Sequence, residues 1–253
     1  MTKGSRDRRP GVMRLHQSIA QRLGTAILCG EYPPGAHLGG EIAAAGALGV
    51  SRTAYREGLR ILIAKGLLES RPRAGTHVTP RARWNLLDPD VLAWMFSSTP
   101  DPIFTRDLFE LRGVIEPAAA ALAATRRSAA DLAAMRAALD AMRAEGLASE
   151  RGQAADRRFH DTLLRASGNE ALAALSSTVG AAVQWTTRFK QRAHGTPRDR
   201  LPEHVAVFDA IAAGDGPAAD VAMRSLVELA LADMAPAAII ADFHRPTASD
   251  DPV

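Results

Sequence analysis

Cysteine is almost absent: Cys29 is the single one in 253 residues. One thiol closes no internal disulfide, which excludes a stapled secreted scaffold and fits a reducing cytoplasm. Aromatic residues are scarce too, 5% against 47% hydrophobic overall. Cores must then be built from Ala, Leu, Ile, Val and Met, a composition that favours helices. No apolar run approaches the length that spans a bilayer, so no membrane partner is expected. Met1–Pro10 is basic but is not followed by an apolar core of the signal-peptide kind. No internal repeat is evident. Neither HExxH nor a phosphate-cradling Gly loop is present, and the expectation is that the chain is not an enzyme.

What is there is a charge asymmetry. The net charge of +3 is the sum of two unlike parts. Residues 1–83 hold 14 Lys/Arg and 5 Asp/Glu, whereas the remainder holds 17 and 23. A basic first third on an acidic body suggests a polyanion-binding module joined to something else.

The stretch Gly49–Val78 is the most informative. Ser51 is a good N-cap, and the residues after it read as a helix. Tyr55, Leu59, Leu62 and Ile63 fall at helical spacing and are expected to pack inward. Arg52, Arg56 and Arg60 lie four residues apart and form a cationic row. Gly66 stops the helix. Two short extended pieces follow around the basic turn Arg71-Pro72-Arg73-Ala74-Gly75. Helix, stop, strand, basic turn and strand is the layout of a winged helix-turn-helix, with the helix suited to the major groove. A charge row alone reads as a solvated face. Here Ser51, Thr53 and the second basic cluster in the turn join it, and double-stranded DNA is the expected partner.

The run LGVSRTAYREGLRILIAKGLLESRPRAGTHV resembles the DNA-binding domain of the GntR superfamily of bacterial transcription factors. That resemblance implies DNA contacts from Arg52, Thr53, Arg56 and the wing Gly75, beside the cations Arg60, Arg71 and Arg73. One departure stands out: the family usually carries Arg after a Glu in the preceding helix, and here Glu41 is followed by Ile42.

Along the chain, the pattern predicts a mostly α protein. A disordered basic arm is expected over 1–12 and a winged helix-turn-helix, three helices plus a small β wing, over 13–80. Leu15, Ile19, Leu23 and Ile27 mark its first helix, and Glu41–Leu48 the second. A linker over 81–104 carries WNLLDPDVLAWMF, too apolar for a free tether and expected to pack against both domains, with a short helix after Asp88-Pro89-Asp90. An all-helical domain over 105–235 begins with a stripe of Leu108, Leu111, Ile115, Ala118 and Leu122. Ser128 and Asp131 form a capping box ahead of Leu132, Met135, Leu139 and Met142. A helix over 153–167, a long one over 170–191, the polar loop 194–202, and helices over 203–213 and 217–234 follow. The tail 236–253 has no period.

Asp156 and His160 are i and i+4, so they share a helical face, and His204 lies on another helix. Such a set is either a surface hydrogen bond with an unrelated capping histidine or a metal site inside a bundle. Arg112 borders the apolar stripe and needs an anion there. It either closes an internal salt bridge, to Glu116 or Asp156, or offers a fork to a ligand carboxylate.

DLFELRGVIEPAAAALAA, ADRRFHDTLLRASGNEAL and EHVAVFDAIAAGDGPAADVAMRSL resemble the FCD ligand-binding domain of the FadR-like branch of GntR regulators. The resemblance implies an all-α FCD helical bundle. It also implies a divalent metal (Zn, Ni or Mn) held by Asp156, His160 and His204; since Leu226 replaces the family's fourth ligand, the alternative is a metal-free polar pocket. It further implies a small carboxylate effector, its acid taken by Arg112 and its hydroxyls by groups around Asp156, His160 and His204; Arg188 on the long helix either binds such hydroxyls too or belongs to a solvated face. RARWNLLDPDVLAWMF is similar to regulators of sugar-acid catabolism of the galactonate type. The expected function is a cytoplasmic homodimeric repressor on an inverted-repeat operator, modulated by a sugar acid. The alternative is a metal-dependent enzyme with an accessory DNA-binding domain, which would need a general base near the metal.

Overall fold

The computed structural model describes residues 15–71, 73–98, 100–194 and 199–234, with backbone only for 191–194. The basic arm 1–12, the tail 236–253 and positions 195–198 of the polar loop lie outside the described residues. The chain forms two compact units, Met1–Ser98 and Thr99–Val253. Among the described residues there are eleven α-helices and a single two-stranded sheet.

In the first unit, α1 (Leu15–Leu28) buries Ile19, Leu23 and Ile27 against α3, while Leu15, expected in the same stripe, is exposed at the helix end. α2 (Glu41–Ala47) precedes α3 (Arg52–Ala64). Ser51 caps α3 by accepting from the Ala54 amide at 3.2 Å. Tyr55, Leu59 and Leu62 are buried; Ile63, expected inward, is 39% exposed. Ile63 is one residue, about 100°, beyond Leu62, which carries it off the core stripe. Gly66 takes φ +76°, and a Cβ there would stand 2.1 Å from the Arg83 carbonyl oxygen. No L side chain fits that turn. β1 (Leu68–Arg71) and β2 (Gly75–Val78) then pair antiparallel, Leu68 opposite Val78 and Arg71 opposite Gly75.

Residues 81–98 fold into this unit. α4 (Pro89–Met95) follows a 3-10 turn at Arg81–Arg83 and packs on α1. Val91, Leu92 and Phe96 are fully buried. Trp94 lies so close to α1 that a Cβ on Gly24 would be 2.4 Å from its ring. Asp88 Oδ1 caps α4 by accepting from the amides of Asp90 and Val91. The same oxygen takes Lys65 Nζ, at the end of α3, at 2.6 Å, and Asp90 takes it at 2.8 Å. Lys65 also lies 5.6 Å from the Trp94 ring centroid.

The second unit is a helical bundle: α5 (Pro102–Arg126), α6 (Ala129–Glu145), α7 (Glu150–Ala166), α8 (Glu170–Ala174), α9 (Ser176–His194), α10 (Leu201–Ala213) and α11 (Gly216–Ala232). α5 packs on α11, α7 and α10, and α9 packs on α7. The Ser128–Asp131 capping box forms as expected. Pro117 sits inside α5 and has no N–H to offer the carbonyl of Gly113. Arg224 of α11 donates to that carbonyl at 3.3 Å instead, so the gap becomes a tie between the two helices.

Three expectations are corrected. The buried face of α5 is Leu108, Phe109, Arg112, Glu116, Ala119, Ala120, Ala123 and Ala124. Leu111, Ile115 and Leu122 are only half-buried and Ala118 is exposed. The interior takes a polar pair and small alanines that allow close helix approach, so hydropathy keeps Leu108 but turns the rest of the stripe about one residue off the buried face. Leu132, expected inward on α6, is likewise half-buried. The long fourth helix is two helices broken at Leu175. There the hydrogen bond shortens to i→i−3, Leu175 N to Leu172 O at 3.0 Å, which tightens the turn and redirects the chain without Gly or Pro.

Candidate effector site and nucleic-acid interface

In the first unit, α3 presents Arg52, Thr53, Arg56 and Arg60 on one exposed face. Arg52 and Arg56 both reach Glu41 Oε2 of α2, at 3.3 and 3.7 Å, and Arg60 pairs with Glu57 at 2.6 Å. Exposed pairs of this kind are worth about 0–1 kcal/mol and exchange readily for phosphate. Ile42, at the position where the resemblance expects Arg, is 72% exposed. In the wing, Glu69 gathers Arg83 and Arg71, which hold its carboxyl below the usual range. Arg73 has φ +64° at the exposed tip, and Gly75 has φ +83°. A Cβ on Gly75 would stand 2.3 Å from His37 Nε2, so the close approach of wing and His37 needs glycine.

In the second unit, Arg112 of α5, Asp156 and His160 of α7, Lys190 of α9, Arg200, and His204 of α10 line a small, narrow cavity, with Val183, Leu226 and Ala230 on its apolar side. All six polar side chains are buried. Asp156 Oδ1 lies 3.0 Å from His204 Nε2 and 3.4 Å from His160 Nε2. Glu116, one turn beyond Arg112, accepts from Arg112 Nε at 2.6 Å and lies 2.6 Å from His160 Nδ1. Burial by itself would raise Glu116, but Arg112 and His160 hold it down at about 2. Burial would raise Asp156 as well, and its two imidazoles hold it well below the usual carboxylate range. Burial would lower His160, yet Glu116 and Asp156 raise it to about 9. Lys190 goes the other way: burial, then the cations Arg200 and Arg112, lower it to about 8.

Residues 15–78 match the bacterial regulatory proteins of the gntR family, and residues 107–229 match the FCD domain. The chain is 38% identical over 212 residues to the galactonate operon transcriptional repressor of Escherichia coli (strain K12), across 83% of this chain and 92% of that one. This chain belongs to the GntR family and carries an FCD domain. It is also 34% identical over 199 residues to the transcriptional regulator LutR of Bacillus subtilis (strain 168), covering 77% of this chain and 89% of the other. Among solved structures, the Listeria monocytogenes regulator Lar superposes with a TM-score of 0.61 over 88% of this chain and 98% of its own, at 20% identity. At that identity the likeness speaks for the fold alone. The first unit is thus the GntR winged helix-turn-helix and the second the FCD bundle, and the chain is a transcriptional regulator.

Whether this FCD site suits a metal is decided by its donors. One oxygen of Asp156 and one nitrogen each of His160 and His204 lie within 4.8 Å of one another. His204 Nδ1 faces the Arg200 carbonyl at 2.8 Å, an acceptor, so its Nε2 is the free donor and points at Asp156. His160 Nδ1 faces Glu116 in a close ion-pair contact that is not aligned as a hydrogen bond, and its Nε2 also points at Asp156. Each ring therefore lies between two acceptors, an arrangement met by a second proton or by a cation at Nε2. A carboxylate or carbonyl behind each imidazole is also the usual support of metal-ligating histidine. The residues fit a divalent ion with three protein ligands, with Leu226 beside them contributing no donor atom.

The internal salt bridge read for Arg112 is present, to Glu116, and Arg112 also lines the cavity. Arg188 is not brought to the cavity. It reaches Gln153 Oε1 at 3.2 Å and stacks 4.9 Å from the Trp185 ring centroid. The lining row of α9 is Val183, Thr186, Thr187 and Lys190, at i, i+3, i+4 and i+7, and position 188 is off that phase. Lys190, Thr186 and Arg200 were missed by the sequence reading. The helical period counted from Val183 would have found the first two. Arg200 was hidden in the polar loop, although it pairs with Asp233 and the Leu229 carbonyl of α11.

Proposed function

We propose that this GntR regulator is a cytoplasmic homodimeric repressor of sugar-acid catabolism genes. It binds an inverted-repeat operator and is released by a small carboxylate, an aldonate such as galactonate. The observation that carries this is the 38% identity, over most of both chains, to a repressor of a galactonate operon. The cavity supports it: it is small, polar, and lined by cations that suit one carboxylate and by groups that suit hydroxyls. In this reading Arg112, Asp156, His160 and His204 contact the effector. A Zn, Ni or Mn ion on Asp156, His160 and His204 would supply a positive centre for carboxylate or hydroxyl oxygens. Release requires that the acid bind the DNA-incompetent state more tightly than the competent one. Fluorescence anisotropy on the chain's own promoter fragment tests it. D-galactonate or a related aldonate should dissociate the complex and D-galactose should not; indifference to every aldonate would remove the sugar-acid reading.

Arg52, Thr53, Arg56, Arg60, Arg71, Arg73 and Gly75 form the proposed DNA face. Arg52→Ala and Arg56→Ala should each weaken the specific complex by about 1–3 kcal/mol if they reach base edges. Binding should also fall steeply with salt as phosphate counterions are released. The same assay at several salt concentrations reads both, and unchanged affinity in both variants would mean that α3 is not the reading helix.

A further inference from the structure

We infer that Lys190 is the group that receives the effector's anion, and that the effector carries one negative charge. This rests on the cavity being the effector site, as proposed above. Lys190 is 6% exposed and lines the cavity from α9. The other charged groups around it have opposite charges in contact: Arg112 with Glu116, Arg200 with Asp233, and His160 and His204 with Asp156. Lys190 has no hydrogen bond or ion pair among the described residues; its counter-charges act only at a distance. An ammonium on a side chain this enclosed, with no carboxylate in contact, is poorly compensated, and a Met or Leu at this position would pack without that penalty. A ligand anion removes the penalty.

The count follows from the same pairing. In the metal-free site one cation lacks a contacting carboxylate, so one negative charge completes it. Without a metal ion, a second acidic group would meet Asp156 and the Glu116 pair with no further cation to receive it, and like charges there repel. The row also favours hydroxyls. Thr186 Oγ1 donates to the Ala182 carbonyl at 2.7 Å, so it can meet a ligand only as an acceptor, which suits a ligand O–H. A polyhydroxy monocarboxylate satisfies both demands.

Calorimetric titration of the full chain tests this with D-galactonate, D-gluconate, L-lactate and acetate as monoanions, galactarate as the dianion, and D-galactose as the neutral analogue. Each is run with chelator and again with added Zn²⁺. At least one monoanion should bind wild type, and bind it more tightly than galactarate or galactose. Lys190→Met should lose about 10- to 100-fold of that affinity and Lys190→Arg much less, as expected for a charge-assisted hydrogen bond. Lys190→Met should also melt higher than wild type without ligand, because the unpartnered charge is gone. Loss of binding together with a gain in stability separates a binding role from a structural one. The inference is overturned if Lys190→Met binds the monoanion as wild type does, if galactarate binds wild type best, or if no monoanion binds. If lactate or acetate binds through Lys190 while the aldonates do not, Lys190 stands and the sugar-acid reading falls. If galactonate binds wild type and Lys190→Met alike, the reverse holds.

Discussion

Replacing Glu116 by alanine will destabilise the FCD bundle by about 3–5 kcal/mol, the usual result of removing one partner from a buried ion pair. Glu116 is fully buried and holds two groups, Arg112 at 2.6 Å and His160 at 2.6 Å. Its removal leaves a guanidinium inside the bundle with no carboxylate in contact, and frees the imidazole that faces Asp156. Domains are stable by only about 5–15 kcal/mol, so this is a large share of the whole. The damage should be local. Hydrogen exchange on the full chain reads it helix by helix, which suits a two-unit protein without one global transition. Amides of α5 and α7 should exchange roughly a hundred- to several-thousand-fold faster, while those of α1 and α3 keep their protection. Glu116→Gln, which keeps the shape and one acceptor, should lie between. Unchanged protection in α5 would mean that the pair adds nothing to the fold.

Leu226→His should tighten Zn²⁺ binding on the order of 100-fold, about 2.8 kcal/mol. Leu226 is 2% exposed on α11 and lines the same cavity as Asp156, His160 and His204. Three protein ligands leave a tetrahedral ion one open position, and a fourth imidazole would close it. Without metal the new ring is a buried polar group among cations, and the variant should be less stable than wild type by about 1–3 kcal/mol. With metal the order should reverse, since an ion that binds only the folded state adds stability as its concentration exceeds its dissociation constant. Thermal melts of both proteins in chelator and in excess Zn²⁺ decide it. A variant that gains no more from Zn²⁺ than wild type would mean that position 226 cannot reach the ion, and the histidines would then be read as direct contacts to the effector.

Much of this was legible in the sequence, for identifiable reasons. The GntR half announces itself through local chemistry: Ser51 caps, Gly66 must take positive φ, and the wing turn needs Gly75 beside His37. Asp156 and His160 share a face by helical period, and the resemblance of its segment to the FCD domain joins His204 to them. What failed was wherever burial and hydropathy part. Arg112 and Glu116 occupy the interior of α5, and Leu111 and Ile115 yield to them, which no apolar pattern conveys. Lys190 on a polar-looking helix reads as solvated until three-dimensional packing encloses it. The break at Leu175 is made by one tightened hydrogen bond and leaves no Gly or Pro to mark it.

The carboxylate of Asp88 has a mechanical consequence. It begins α4 and grips Lys65 at the end of α3, while Trp94 wedges against α1 where only glycine leaves room. The chain from 81 to 98 is therefore bound to α1 and α3 and belongs to their rigid packing. A loose tether of 18 residues would wander over roughly 20–25 Å. Clamped in this way, those residues are a stiff part of the reading head itself. Within the first unit, their position is set by folded protein and not by chain statistics.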